Sequence, residues 1–241
     1  MTTRAEVAAC IDHTLLKPEA TPDDVRRVSA EAVELGVGAV CVSPTMVATA
    51  RTALPASIAV CSVVGFPSGA HRPDTKAAEA GLALADGATE LDMVVDLGAV
   101  AARDWSAVAT DIAAVRNCTE LLVKVIVESA VWAADELDQL CRVAVDNGAD
   151  YLKTSTGFHP SGGATHASVA ALARVAAQAP PTRAGRPVGV KASGGIRDAA
   201  TALAMLEAGA TRLGCSASRA ILDGLPADPT GDPPRTPAPG A

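Results

Sequence analysis

Aromatic side chains are nearly missing from this 241-residue chain: two Phe, two Trp and one Tyr make up 2% of it, against 49% hydrophobic residues overall. A core without large rings has to be filled by Ala, Val, Leu and Ile. That suits packed helices and parallel strands covered on both faces. A basic cluster is missing too. The net charge is −7, which excludes the basic face of a nucleic-acid binder. An anionic ligand must be held by local groups against the overall field.

No CxxC pair occurs. The six cysteines (Cys10, Cys41, Cys61, Cys118, Cys141 and Cys215) are scattered, several within apolar runs. They read as buried free thiols of a reducing compartment, not as disulfides or a zinc set. The four histidines, His13, His71, His159 and His166, show no ligand spacing, so each reads as a surface or loop residue and no metal is expected. No 18-residue apolar run is present, and "MTTRAEVAACIDHTLL" lacks the apolar core of a secretory leader. The expectation is a cytoplasmic protein that neither binds nucleic acid nor spans a membrane.

What is present is an alternation. β-Branched runs at 39–43, 58–64, 89–95, 121–127, 150–154, 187–192 and 211–214, with a shorter candidate at 10–14, alternate with alanine-rich helical patterns. The helices are expected near 22–35, 44–53, 73–86, 104–116, 135–147, 164–178, 197–208 and 216–223. Their punctuation agrees: Thr21 and Pro22 suit the start of one helix. Gly87, Gly148 and Gly209, each following a helical pattern, suit the left-handed position beyond a helix end. Eight strand–helix units in about 225 residues predict an α/β single domain, a (β/α)8 TIM barrel over 1–224. A doubly wound sheet is the weaker alternative, because no GxGxxG follows the first long strand. Residues 225–241 hold six prolines and read as a proline-rich disordered tail.

Alternate residues of a strand share a face. By that rule Asp92 shares a face with Glu90, Val94 and Asp96; Lys124 with Ile126 and Glu128; Lys153 with Tyr151 and Ser155; and Lys191 with Gly189. Four adjacent strands therefore carry a charge toward their carboxyl ends, where barrel active sites sit. The bland account is an internal ion-pair cluster of lysines against Asp12, Asp92 and Glu128. Such clusters stabilise little, which favours a chemical use. A desolvated lysine beside another cation has a depressed pKa, and its free amine can form a Schiff base with a carbonyl. The loops "TSTGF" (154–158), "SGGIR" (193–197) and "GCSAS" (214–218) end three consecutive strands with glycines and hydroxyls. Their N–H groups suit a phosphate.

The phrases "IDHTLL" (11–16), "VVGFPSGA" (63–70), "ELDMVVDLG" (90–98), "KVIVE" (124–128), "YLKTSTGF" (151–158) and "VKASGGIR" (190–197) give the chain a resemblance to the class I deoxyribose-phosphate aldolases. The resemblance spans residues 11 to about 220. It implies a Schiff-base lysine at Lys153, a second lysine at Lys191 that assists it, and a proton-shuttling carboxylate at Asp92. It also implies supporting roles for Lys124 and Asp12, and a phosphate site at Gly157, Gly194, Gly195 and Ser216. The reaction implied is reversible cleavage of a phosphorylated sugar, 2-deoxy-D-ribose 5-phosphate, without metal or cofactor, by a homo-oligomer (dimer or tetramer). The chain departs from the family pattern at Ser43, at Ala217, and at Asp96, which is expected to add a carboxylate near the site. Nor does it end in the tyrosine with which some relatives reach the active site. Another Schiff-base sugar-phosphate lyase, or a noncatalytic sugar-phosphate-binding barrel, fits the bare residue pattern as well.

Overall fold

The β-branched runs become eight short parallel strands in the computed structural model, which describes residues 3–225. They are β1 Ile11–Leu15, β2 Ala39–Val42, β3 Ala59–Val64, β4 Glu90–Val94, β5 Leu122–Ile126, β6 Tyr151–Lys153, β7 Gly189–Ser193 and β8 Arg212–Cys215. Each pairs with the next and β8 closes on β1. Asp12 sits opposite Ala39 on one side and Gly214 on the other. This is the TIM barrel expected from the alternation. The proline-rich stretch assigned to a tail lies, from residue 226 on, outside the described residues.

Around the barrel run α1 Arg4–Ala9, α2 Pro22–Leu35, α3 Val47–Ala53, α4 Pro73–Ala85, α5 Leu97–Ala101, α6 Trp105–Arg116, α7 Ala134–Asp146, α8 His166–Gln178, α9 Ala199–Glu207 and α10 Ser218–Asp223. Local chemistry sets their ends. Thr21 accepts from Asp24 N while the Asp24 carboxylate accepts from Thr21 N, and Gly36 closes α2 in the left-handed region. Gly87, Gly148 and Gly209 all have positive φ, as their position after a helix requires. α1 and α5 were not foreseen, being too short to show a helical period. α1 is started by a Thr3–Glu6 capping box. The helix expected over 44–53 opens with a tighter turn over Pro44–Met46. β7 begins at Gly189, two residues later than its apolar run, because Pro187 has no N–H to give the ladder.

The outward faces of the strands, such as Val40, Leu91, Val123, Leu152, Val190 and Leu213, build the apolar core with the helices. The inward face carries the buried charges: Asp12, Asp92, Lys124 and Lys191 are fully buried, beside a small apolar group of Leu16, Cys41, Cys61 and Val63. His13 corrects one expectation. It is buried on the outer side of β1, with Nδ1 2.7 Å from Ser218 Oγ and Nε2 3.3 Å from Glu31. The cysteines correct another in part, since Cys118 is exposed and Cys10 half-buried while the other four are buried. All six are free. No helix among the described residues is long and apolar enough to cross a membrane.

The amino-terminal end of the barrel is pinned by one buried pair. Arg116 Nη1 donates to Asp150 Oδ2 at 2.8 Å, and the same oxygen accepts from Val123 N at 2.9 Å. Arg116 is also held by the carbonyls of Thr119 and Leu121. Asp150→Ala leaves a buried guanidinium without its counter-ion, which costs about 3–5 kcal/mol. Urea unfolding is expected to show that loss with activity retained in the folded protein; an unchanged midpoint removes this pair from the determinants of stability.

Candidate active site

Alternation along the strands turns Asp92 of β4, Lys124 of β5, Lys153 of β6 and Lys191 of β7 into the barrel, and strand register sets them side by side. Asp92 is level with Lys124, and Lys153 is level with Lys191. Asp92 is the hub. Its Oδ2 accepts from Lys153 Nζ and from Lys191 Nζ, both at 2.7 Å. Its Oδ1 accepts from Lys124 Nζ at 2.8 Å and from the Cys61 thiol at 3.0 Å. Asp12 completes the ring, accepting from Lys191 on one oxygen and from Arg212 Nε at 2.8 Å on the other.

Electrostatics lock most of these groups in their charged forms. Burial alone would push the Asp92 carboxyl up; Lys124, Lys153 and Lys191 overcome it and hold the carboxyl well below the usual range. Asp12 is held low in the same way, burial being outweighed by Lys191 and Arg212. Lys191 and Lys124 show the mirror effect: burial would depress them, but the surrounding carboxylates raise both. Arg212 is likewise raised.

Above Lys153 opens a cavity of about 240 Å³. Of the residues expected to hold phosphate, Gly157, Gly194, Gly195 and Ser216 all line it. The loops need their glycines. Gly157 has φ +82° and Gly194 φ +89°, and a Cβ on Gly194 would come within 2.9 Å of Gly163 Cα. Lys191, Asp92, Lys124 and Asp12 do not line the cavity; they are buried inside the barrel around the Lys153 amine. Phe158, which lines it, packs edge-on against Phe66 with centroids 5.3 Å apart.

Several participants were not singled out in the sequence. Glu90 accepts from Lys124 Nζ at 2.6 Å and from Arg212 Nη2 at 3.0 Å, so both belong to the buried cluster. Lys17 and Arg197, exposed at the rim, add the cavity's remaining cations. "SGGIR" carried Arg197 in plain sight, and "HTLLK" carried Lys17. Asp96 corrects an expectation: β4 ends at Val94, so the alternation stops, and Asp96 caps α5 by accepting from Gly98 N and Ala99 N. It is not a carboxylate of the site. Donor atoms of Cys41, Cys61 and Asp92 lie within 4.8 Å of one another, a set of metal-ligand type that no histidine pattern announced. Both Asp92 oxygens already accept from Cys61 and the three lysines.

The comparisons with known proteins identify the family. The pattern of the DeoC/LacD family aldolases matches residues 6–224. The deoxyribose-phosphate aldolase of Mycolicibacterium paratuberculosis is 58% identical over 228 residues, covering 92% of this chain and 98% of that protein. That of Mycobacterium tuberculosis strain H37Rv is 55% identical, covering 92% and 97%. A solved structure, the tetrameric deoxyribose phosphate aldolase of Aeropyrum pernix, superposes with a TM-score of 0.81 at 33% identity, covering 92% of each chain. An eight-stranded barrel with a lysine under a glycine-lined cavity, matched at this identity along nearly its whole length, places the chain in the DeoC/LacD family of aldolases.

Proposed function

We propose that this aldolase reversibly cleaves 2-deoxy-D-ribose 5-phosphate to acetaldehyde and D-glyceraldehyde 3-phosphate, through an imine on Lys153. The observation that carries the reading is the position of Lys153 Nζ. It stands at the floor of the cavity, bonded to one carboxylate oxygen that it shares with a second, fully buried lysine.

Charge counting supports Lys153 as the amine that reacts. Four cations, Lys124, Lys153, Lys191 and Arg212, face three carboxylates, Asp12, Glu90 and Asp92. The cluster holds one positive charge too many. Lys191 and Arg212 each bridge two carboxylates and Lys124 reaches three, while Lys153 has Asp92 alone and is the lysine of the cluster that lines the cavity. Attack on the aldehyde uses the lone pair of the neutral Lys153 amine.

The steps follow. The Lys153 amine adds to the C1 aldehyde, and loss of water gives an iminium. A base takes the C3 hydroxyl proton, the C2–C3 bond breaks, and its electrons flow into the iminium to give an enamine. Glyceraldehyde 3-phosphate leaves. Protonation of the enamine at C2 and hydrolysis release acetaldehyde and restore Lys153. The iminium is the electron sink, so the route asks for no cofactor. Asp92, ionised and in contact with Lys153, carries protons through a water, and Lys191 stays cationic behind it. Lys124 and Asp12 hold that pair in place. The C5 phosphate is held by N–H groups of Gly157, Gly194, Gly195 and Ser216, with Lys17 and Arg197 at the rim.

Borohydride reduction in the presence of deoxyribose 5-phosphate tests the reading. It is expected to fix a two-carbon adduct on the peptide carrying Lys153, with acetaldehyde as the product of turnover. Dihydroxyacetone units released from ketose phosphates point to a different lyase, and bound sugar without an adduct points to a binding barrel. Free thiols on every cysteine suit a reducing cytoplasm, and the tetrameric Aeropyrum relative supports self-association here, which sedimentation reads directly.

A further inference from the structure

The β5–α7 turn carries two costs at one residue. Glu128 is fully buried, and its backbone is left-handed at φ +49°. A non-glycine residue there is uncommon, and backbone strain of this kind gathers at functional sites. A buried carboxylate is costly unless it is compensated. No cation pairs with Glu128 among the described residues; its side chain instead meets one neighbour three times. Thr156 N donates to Oε2 at 3.2 Å and to Oε1 at 3.3 Å, and Thr156 Oγ1 donates to Oε2 at 2.7 Å. Thr156 Oγ1 in turn accepts from Phe158 N at 3.1 Å.

Those bonds grip both sides of Gly157. Its N–H makes no hydrogen bond among the described residues, and Gly157 lines the cavity between Thr156 and Phe158. Glu128 itself does not line the cavity. The neighbouring ladder is already complete without its side chain: Val127 N donates to Lys153 O and Ser129 N to Thr154 O. The carboxylate is therefore not required to pair β5 with β6.

We propose that Glu128 is a positioning residue for the substrate's phosphate, acting through Thr156 to aim the Gly157 N–H into the cavity. The proposal rests on the reaction assigned above. It adds that selectivity for the phosphorylated sugar is set in part by a side chain that never touches the substrate.

The test uses the full chain in four forms: wild type, Glu128→Ala, Glu128→Gly and Glu128→Gln. Inorganic phosphate binding is measured by calorimetry, and kcat and KM are measured for deoxyribose 5-phosphate and for unphosphorylated deoxyribose. Loss of one charge-assisted contact corresponds to about tenfold. Glu128→Ala and Glu128→Gly are each expected to weaken inorganic phosphate about tenfold. The preference for the phosphorylated sugar falls by the same factor, through KM. Glu128→Gln, which keeps an acceptor, restores part of both. Glu128→Gly separates the carboxylate from the fold, because glycine relaxes the left-handed backbone and keeps the protein folded. A variant set that keeps wild-type phosphate affinity and preference, or loses rate on both sugars alike, overturns the assignment. Failure of the reaction itself looks different: wild-type protein then yields no acetaldehyde, whatever its affinity for phosphate.

Discussion

Lys153→Ala is expected to fold, to bind inorganic phosphate, and to turn over no deoxyribose 5-phosphate. Borohydride is expected to leave it without an adduct. In the proposed route the amine is the nucleophile and the atom on which the electron sink is built, so no neighbouring group can take its place: Lys191 is fully enclosed and bridges Asp12 and Asp92. The fold should tolerate the change for a reason visible in the charge count. Removing Lys153 turns four cations against three carboxylates into three against three, and the space vacated opens onto the existing cavity instead of creating a sealed void. Urea unfolding is therefore expected to show little loss. This pairing of intact fold with absent chemistry distinguishes the reading from a binding barrel whose lysines are counter-ions, where Lys153→Ala lowers stability or affinity and there is no turnover to lose. Near-normal turnover by Lys153→Ala removes Lys153 from the mechanism.

The barrel was legible because its signal is periodic and redundant. Eight β-branched runs, each followed by a helix with a cap or a glycine stop, leave few alternatives, and boundary errors of one or two residues do not change the topology. The lysines were legible for a related reason. A charge at an inward position of an otherwise apolar strand contradicts burial, and Lys124, Lys153 and Lys191 repeat that contradiction on neighbouring strands.

What was missed depended on where a strand stops and which face a residue takes. The alternation of β4, extended along the sequence, turns Asp96 inward, but the chain turns after Val94 and the same carboxylate becomes a helix cap. His13, one residue from the inward Asp12 on the short strand β1, points outward and is buried under α2 and α10, a cover that only the packed helices reveal. Arg212 begins a four-residue strand, too short for a period to show, and reads as an ordinary rim charge until the closing of β8 on β1 brings it against Asp12. Glu128 lies two residues beyond the end of β5, and the role proposed for it follows from a backbone turn that no alternation rule contains.

Asp92→Asn should separate imine formation from cleavage. The substitution preserves shape but not bonding. Asp92 accepts on both oxygens, from Lys153 and Lys191 on one and from Lys124 and Cys61 on the other. An amide has one oxygen and one NH2 group, so whichever way the new side chain turns, its NH2 faces an ammonium. The cluster also passes from one excess positive charge to two. Stability is expected to fall by about 3–5 kcal/mol, as when one partner of a buried pair is removed. The amine itself remains and still faces the cavity, so acetaldehyde with borohydride should still label Lys153. Cleavage requires the proton carrier as well, and kcat for deoxyribose 5-phosphate is expected to drop by about 10²–10⁴-fold. Turnover within a few-fold of wild type would show that Asp92 is only a counter-ion for the lysines. Loss of the adduct along with turnover would move its role to the formation of the imine, before any carbon–carbon bond is broken.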